Sequence, residues 1–181
     1  MSTTISPGEL TGTYTLDPAH TRIGFVARHT LSSRVRGQFE QFDGDVHLNG
    51  DHPSKSGAHL TIRAASLQTQ NRQRDDHLRG AFLDTDKHPA ITFTSTAVQP
   101  AGGTAYQVTG DLTIRGVTKP VTLDVRLTAA ETDSMGDFRV QFQGSVTVSR
   151  KDWGVNQNAA TSMLVSPKVT LEFDAIAVRL P

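Results

Sequence analysis

Tyr106–Leu127 reads YQVTGDLTIRGVTKPVTLDVRL, and this stretch decides the fold. Val108, Gly110, Leu112 and Ile114 fall on alternate positions before the turn, and Val121, Leu123, Val125 and Leu127 do so after it. A period of two belongs to strands with one buried and one wet face. Gly116 offers the positive φ that a short reversal needs. The segment therefore predicts an antiparallel hairpin, with the turn at Gly116–Pro120 and the second strand over Val121–Leu127.

Outward from the hairpin the same alternation recurs at short intervals. Strands are expected over Gly37–Leu48, Ala58–Ser66, Ala90–Val98, Phe138–Ser149 and Val169–Val178, with Asn49–Gly57 (NGDHPSKSG) as a turn between two of them. A further strand opens the block Asp17–Phe39, DPAHTRIGFVARHTLSSRVRGQF. There Thr21, Ile23, Phe25, Ala27 and His29 share one face, which is apolar until it ends in an imidazole. A buried polar group needs a partner, so His29 calls for a hydrogen bond, a water or a ligand. Only Asn71–Arg79 (NRQRDDHLR) reads as helix, capped by Asn71, ended by Gly80 and decorated with Arg72–Asp76 and Asp75 or Asp76–Arg79 pairs. About eight strands beside one small helix predict an all-β chain, a closed barrel or a sandwich.

Composition narrows the partners. The 181 residues suit one domain, expected over 13–181 after a flexible N-terminal segment 1–12. Eighteen basic and eighteen acidic residues cancel, which gives no electrostatic case for nucleic acid or an anionic membrane surface. The absence of cysteine excludes disulfides, thiol catalysis and thiolate metal sites. No run is long and apolar enough to span a bilayer, and MSTTISPGELTG has neither a basic start nor a hydrophobic run. A cytoplasmic location is expected.

Catalytic signatures are missing: no GxGxxG, Walker loop, HExxH, EF-hand loop or GxSxG occurs. His20, His29 and His77 lack metal-ligand spacing, so no metal site is expected. Arg74, Asp75 and His77 could form an acid–base cluster, but a charged helix tied to its neighbours explains them as well. No catalytic residue is named, and no cofactor is expected. Trp153–Gly154 reads as either a barrel plug or an interface aromatic.

What remains is the interior. An eight-stranded barrel is either just filled by side chains or able to hold one small ligand. Ala27, Ala64, Gly110, Gly144 and Ala175 are small inward-facing positions, and they point to an elongated void. Its walls would be Ile23, Phe25, Leu60, Ile62, Phe93, Leu112, Ile114, Phe142 and Phe173, a lining suited to hydrocarbon.

Six blocks carry a resemblance. They are DPAHTRIGFVARH at Asp17–His29, SRVRGQF at Ser33–Phe39, RDDHLR at Arg74–Arg79, PAITFTST at Pro89–Thr96, GDLTIRGVTKPV at Gly110–Val121 and SRKDWG at Ser149–Gly154. In this order and spacing the chain resembles the YceI-like polyisoprenoid-binding proteins over nearly its full length. Trp153 stands where that family more often has phenylalanine, and Thr21 where serine is usual. The resemblance implies an extended, eight-stranded antiparallel lipocalin-like barrel with one or two short helices. It also implies a long isoprenoid, a polyprenyl chain or an isoprenoid quinone, bound in a central tunnel, and a homodimer. His29 and His77 join the lining as expected ligand contacts, and His20, Arg74, Asp75 and Arg115 are the head-group candidates, expected near one mouth. Two rival classes are an enzyme acting on an apolar substrate through a His/Asp/Arg cluster, and a structural module with a filled barrel.

Overall fold

The alternating segments pair antiparallel throughout, in a computed structural model that describes residues 6–29, 34–155 and 165–181. The strands are β1 (Gly12–Leu16), β2 (Arg22–His29), β3 (Arg34–Phe39), β4 (Phe42–Leu48), β5 (Gly57–Arg63) and β6 (Leu67–Gln68). They continue as β7 (Ala90–Pro100), β8 (Ala105–Ile114), β9 (Val117–Thr132), β10 (Phe138–Ser149) and β11 (Val165–Arg179). Both β1 and β2 lie along β11, while β3 and β4 lie along β2 and β1, and β6 and β5 along β3 and β4. These six short strands are thus three long ones, each creased once. Eleven strands become eight, arranged up and down around a closed barrel whose seam is β1–β11. The described residues contain no helix long and apolar enough to cross a membrane.

The creases correct the expected continuous strands Gly37–Leu48 and Ala58–Ser66. They fall side by side, at Pro18–His20, at Glu40–Gln41 and at Ala64–Ser66. Proline cannot donate to a ladder, so Asp17–Pro18 breaks the first long strand, and Asp17 caps the resulting turn by accepting from Ala19 N at 3.2 Å. Side-chain hydroxyls take over where the ladder fails. Thr21 Oγ1 donates to Ile176 O at 3.2 Å and accepts from Ile176 N at 3.0 Å. Ser66 Oγ accepts from Gln41 N at 3.0 Å and donates to Arg63 O at 2.7 Å.

The hairpin of Tyr106–Leu127 forms with a tighter turn than expected. Arg115 (φ 52°) and Gly116 (φ 74°) are the two turn residues, and β9 begins at once, with Pro120 paired to Asp111 inside the strand. Two left-handed residues in succession match the twist of the flanking strands, which is why the reversal needs no more.

Asn71 caps the helix as expected, its side chain accepting from Arg74 N at 3.0 Å. Helix α1 (Arg72–His77) does not stop at Gly80. It widens into a π turn over Leu78–Phe82 and leaves through Asp84 (φ 47°). Arg79 pairs with Asp76 at 3.1 Å and donates to Ala65 O and Leu67 O at 2.8 and 2.9 Å. Asp75 is not a surface charge: it is buried and accepts from Thr69 N at 3.0 Å and from the Thr69 hydroxyl. The helix is therefore stapled across one end of the barrel.

Candidate ligand tunnel

The inward faces enclose a cavity of about 1040 Å³. Ile23 and Phe25 reach it from β2, Leu60 and Ile62 from β5, Phe93 from β7, and Leu112 and Ile114 from β8. Phe142 and Phe173 close the ring from β10 and β11. Every apolar wall residue expected from alternation is thus in the lining, because a period of two fixes the facing side once the barrel closes. Leu10, Leu48, Asn49 and Pro53 line one end of the cavity, and Leu78, Phe82, Trp153 and Val155 the other.

Trp153 is a plug. It is 2% exposed and its Nε1 donates to Leu112 O at 2.9 Å, which satisfies the one polar atom of a buried indole. Arg115 serves the same turn, donating from Nη1 to Gly154 O at 2.8 Å, and stands outside the lining.

Polar groups line both ends of the cavity, Asn49 and Ser56 at one and Asn71, Gln73, Arg74, His77 and Arg150 at the helical end. Arg74 lines the cavity while its Nε donates to Thr69 Oγ1 at 2.8 Å and its Nη2 to Thr69 O at 2.7 Å. His77 stands edge-on to Phe82, 5.6 Å between ring centroids, and its buried Nε2 has no hydrogen-bond partner among the described residues. Arg150 is the group that sequence reasoning missed. It is 6% exposed, lies 5.6 Å from the Phe82 centroid, and donates to Val155 O at 2.7 Å and Ser166 O at 3.3 Å. Burial pulls its guanidinium below the ordinary arginine range, because a low-dielectric wall penalises charge. Its sequence signal was its place in the SRKDWG block, three residues before Trp153.

The head-group candidates do not gather at one mouth. Arg74 lines the tunnel, whereas Asp75 is committed to Thr69 behind it. His20 sits on the outer wall because the Pro18 crease throws it out of the strand, and its Nδ1 donates to Asp17 at 2.9 Å. Arg139 joins the same carboxylate at 2.7 Å and Asp133 at 2.5 Å, holding both carboxyls below the usual aspartate range. His29 ends β2 opposite Val165, and its side chain lies outside the described residues.

Residues 14–177, nearly the whole barrel, match the family model of the YceI-like domain. The chain belongs to the YceI-like family. A UPF0312 protein of Pectobacterium atrosepticum is 41% identical over 137 residues, 75% of this YceI-like chain and 71% of its own length. One from Pseudomonas aeruginosa is 39% identical over 140 residues, 77% and 73% of the two chains. Among solved structures, Burkholderia cenocepacia BcnA superposes with a TM-score of 0.81 at 26% identity, covering 89% of this chain and 98% of that one. A polyisoprenoid binding domain from Saccharophagus degradans shares the YceI-like fold, with a TM-score of 0.71 at 19% identity over 92% and 98%.

Proposed function

We propose that this YceI-like barrel holds one long isoprenoid, a polyprenyl chain or an isoprenoid quinone, for storage, transport or sequestration. The observation that carries the reading is the cavity of about 1040 Å³, walled by aliphatic and phenyl side chains from one end of the barrel to the other. A pocket of that size and lining suits a chain of hydrocarbon better than a compact polar metabolite. That a barrel of the same fold is a polyisoprenoid binding domain supports the ligand class.

Burying a CH₂ gains about 0.8 kcal/mol over water, so a five-carbon isoprene unit contributes about 4 kcal/mol before ordering costs. A lipid drawn from a membrane already sits in hydrocarbon and forgoes most of that gain. Shape and head-group contacts then decide what is bound. Arg74, His77 and Arg150, with Asn71 and Gln73 beside them in the wall of the helical end, are the donors that a head oxygen would meet there.

The test is uptake by delipidated protein, with an isoprenoid quinone and the matching polyprenyl phosphate as probes. Stoichiometric uptake of either supports the reading, and uptake of neither contradicts it. Arg74→Ala is expected to weaken the phosphate more than the quinone, since a guanidinium pairs best with a charged oxygen. Equal losses would remove that distinction. A homodimer and a cytoplasmic location belong to the same proposal on the strength of the sequence reading, and sedimentation and cell fractionation check them.

A further inference from the structure

A barrel of eight strands is at the size where side chains just fill the interior, and this one sends phenylalanine inward from β2, β3, β7, β10 and β11. The cavity survives because three of those rings lie along the wall. The tip of Phe25 rests over Gly37, that of Phe93 over Gly110 and that of Phe173 over Gly144. A Cβ on these glycines would stand 2.3 Å from Phe25 Cζ, 2.5 Å from Phe93 Cζ and 2.5 Å from Phe173 Cζ, closer than real carbon contacts allow. The ring atoms met are Cζ and Cε, the far end, so each ring spans from its own strand to the next. Phe25 and Phe173 face their glycines directly in register, and Phe93 reaches Gly110 on the diagonal from its own partner Leu112.

We propose that Gly37, Gly110 and Gly144 set the bore of the tunnel, and through it a preference for a methyl-branched isoprenoid chain over a straight one. This rests on the chain-binding reading above. A side chain at any of the three lifts its phenyl ring off the wall, and the space on the ring's other side is the lumen. Methyl branches are the widest points of an isoprenoid, so a narrowed bore excludes them first. In the native bore a straight chain leaves gaps along the wall and forgoes contacts that the branches would make.

Gly37 is the position to change. Its three nearest neighbours are all atoms of the Phe25 ring, whereas a Cβ on Gly110 would also meet the Thr94 carbonyl oxygen at 2.6 Å. The probes are geranylgeraniol and 1-eicosanol, primary alcohols of equal carbon count, the first methyl-branched with four double bonds and the second straight and saturated, offered to delipidated protein. Wild type should bind geranylgeraniol the more tightly. Gly37→Ala should weaken geranylgeraniol by about tenfold to a hundredfold, the range into which overpacking penalties convert, and leave eicosanol nearly unchanged. The double variant Gly37→Ala/Phe25→Leu, whose shorter side chain clears the new Cβ, should restore the branched chain. Unchanged geranylgeraniol binding in a folded Gly37→Ala protein, equal loss of both alcohols, or no rescue in the double variant would each overturn the proposal. Wild type that binds neither alcohol would instead overturn the chain-binding reading beneath it. If Gly37→Ala does not fold, Gly144→Ala with and without Phe173→Leu carries the same expectations.

Discussion

Asp17 shows how much one residue does in this barrel. Its backbone ends β1, its carboxylate caps the Pro18 turn through Ala19 N, and Arg139 and His20 both donate to it. The Arg139 hydrogen bonds are the largest cause of the lowered pKa of both Asp17 and Asp133, with His20 next for Asp17. A carboxyl that titrates below its ordinary value of 3.8 stabilises the fold fully above that value. The contribution then fades as the pH falls through the lowered one. Arg139→Gln should therefore lower Tm at neutral pH, and the gap to wild type should close in acid. A gap that stays constant from neutral pH to strong acid would show that the network is not what Arg139 supplies. Trp153 is the second test at this scale. Trp153→Phe removes the donor to Leu112 O while keeping an aromatic plug, so a loss of about 1–2 kcal/mol in denaturant unfolding is expected. Trp153→Ala should lose about 3–5 kcal/mol.

At the scale of elements, local pattern and distant pairing separate cleanly. The hairpin of β8 and β9 was legible because strand, turn and strand are contiguous and Gly116 marks the reversal. Its turn was read too long because Lys119 and Pro120 look like loop residues, whereas Pro120 sits in β9 opposite Asp111. The creases were not legible. Glu40–Gln41 has no breaker residue, and it bends because neighbouring strands bend beside it at Pro18 and at Ala64–Ser66. The wall of the tunnel was legible from alternation alone. Its helical cap was not, since Arg150 and Trp153 meet Phe82 and Leu112 only after the chain has closed. The small inward residues gave the right expectation of a cavity for an incomplete reason: the glycines are covered by phenyl rings and are not themselves the void. The stitch across the first crease makes its own prediction. Thr21→Val leaves both Ile176 backbone groups without the hydroxyl and should cost about 1–3 kcal/mol, while Thr21→Ser keeps it and should cost much less. Equal losses in thermal unfolding would mean that the methyl group, not the hydroxyl, is what the crease uses.

For the molecule as a whole, closure and emptiness have to be explained together. Pairing of β1 with β11 removes the sheet edges that would otherwise invite association. Toward one end Tyr14, Val140 and Ala177 pack together, each no more than 1% exposed, and Tyr14 Oη donates to Leu10 O at 2.8 Å. The cavity runs beside that cluster with a mostly apolar wall, Asn49 and Ser56 lining it at this end and Arg74, His77 and Arg150 at the helical end. Three of the phenylalanine rings that line the lumen lie flat over glycines of the neighbouring strand, and the lumen stays open. The most direct measurement is organic extraction and mass spectrometry of the purified protein, beside a delipidated sample and a blank of host lipid. A stoichiometric isoprenoid, absent from the delipidated sample and enriched over the blank, is the expected result. Protein that carries no lipid, and takes up neither quinone nor polyprenol once delipidated, would contradict it.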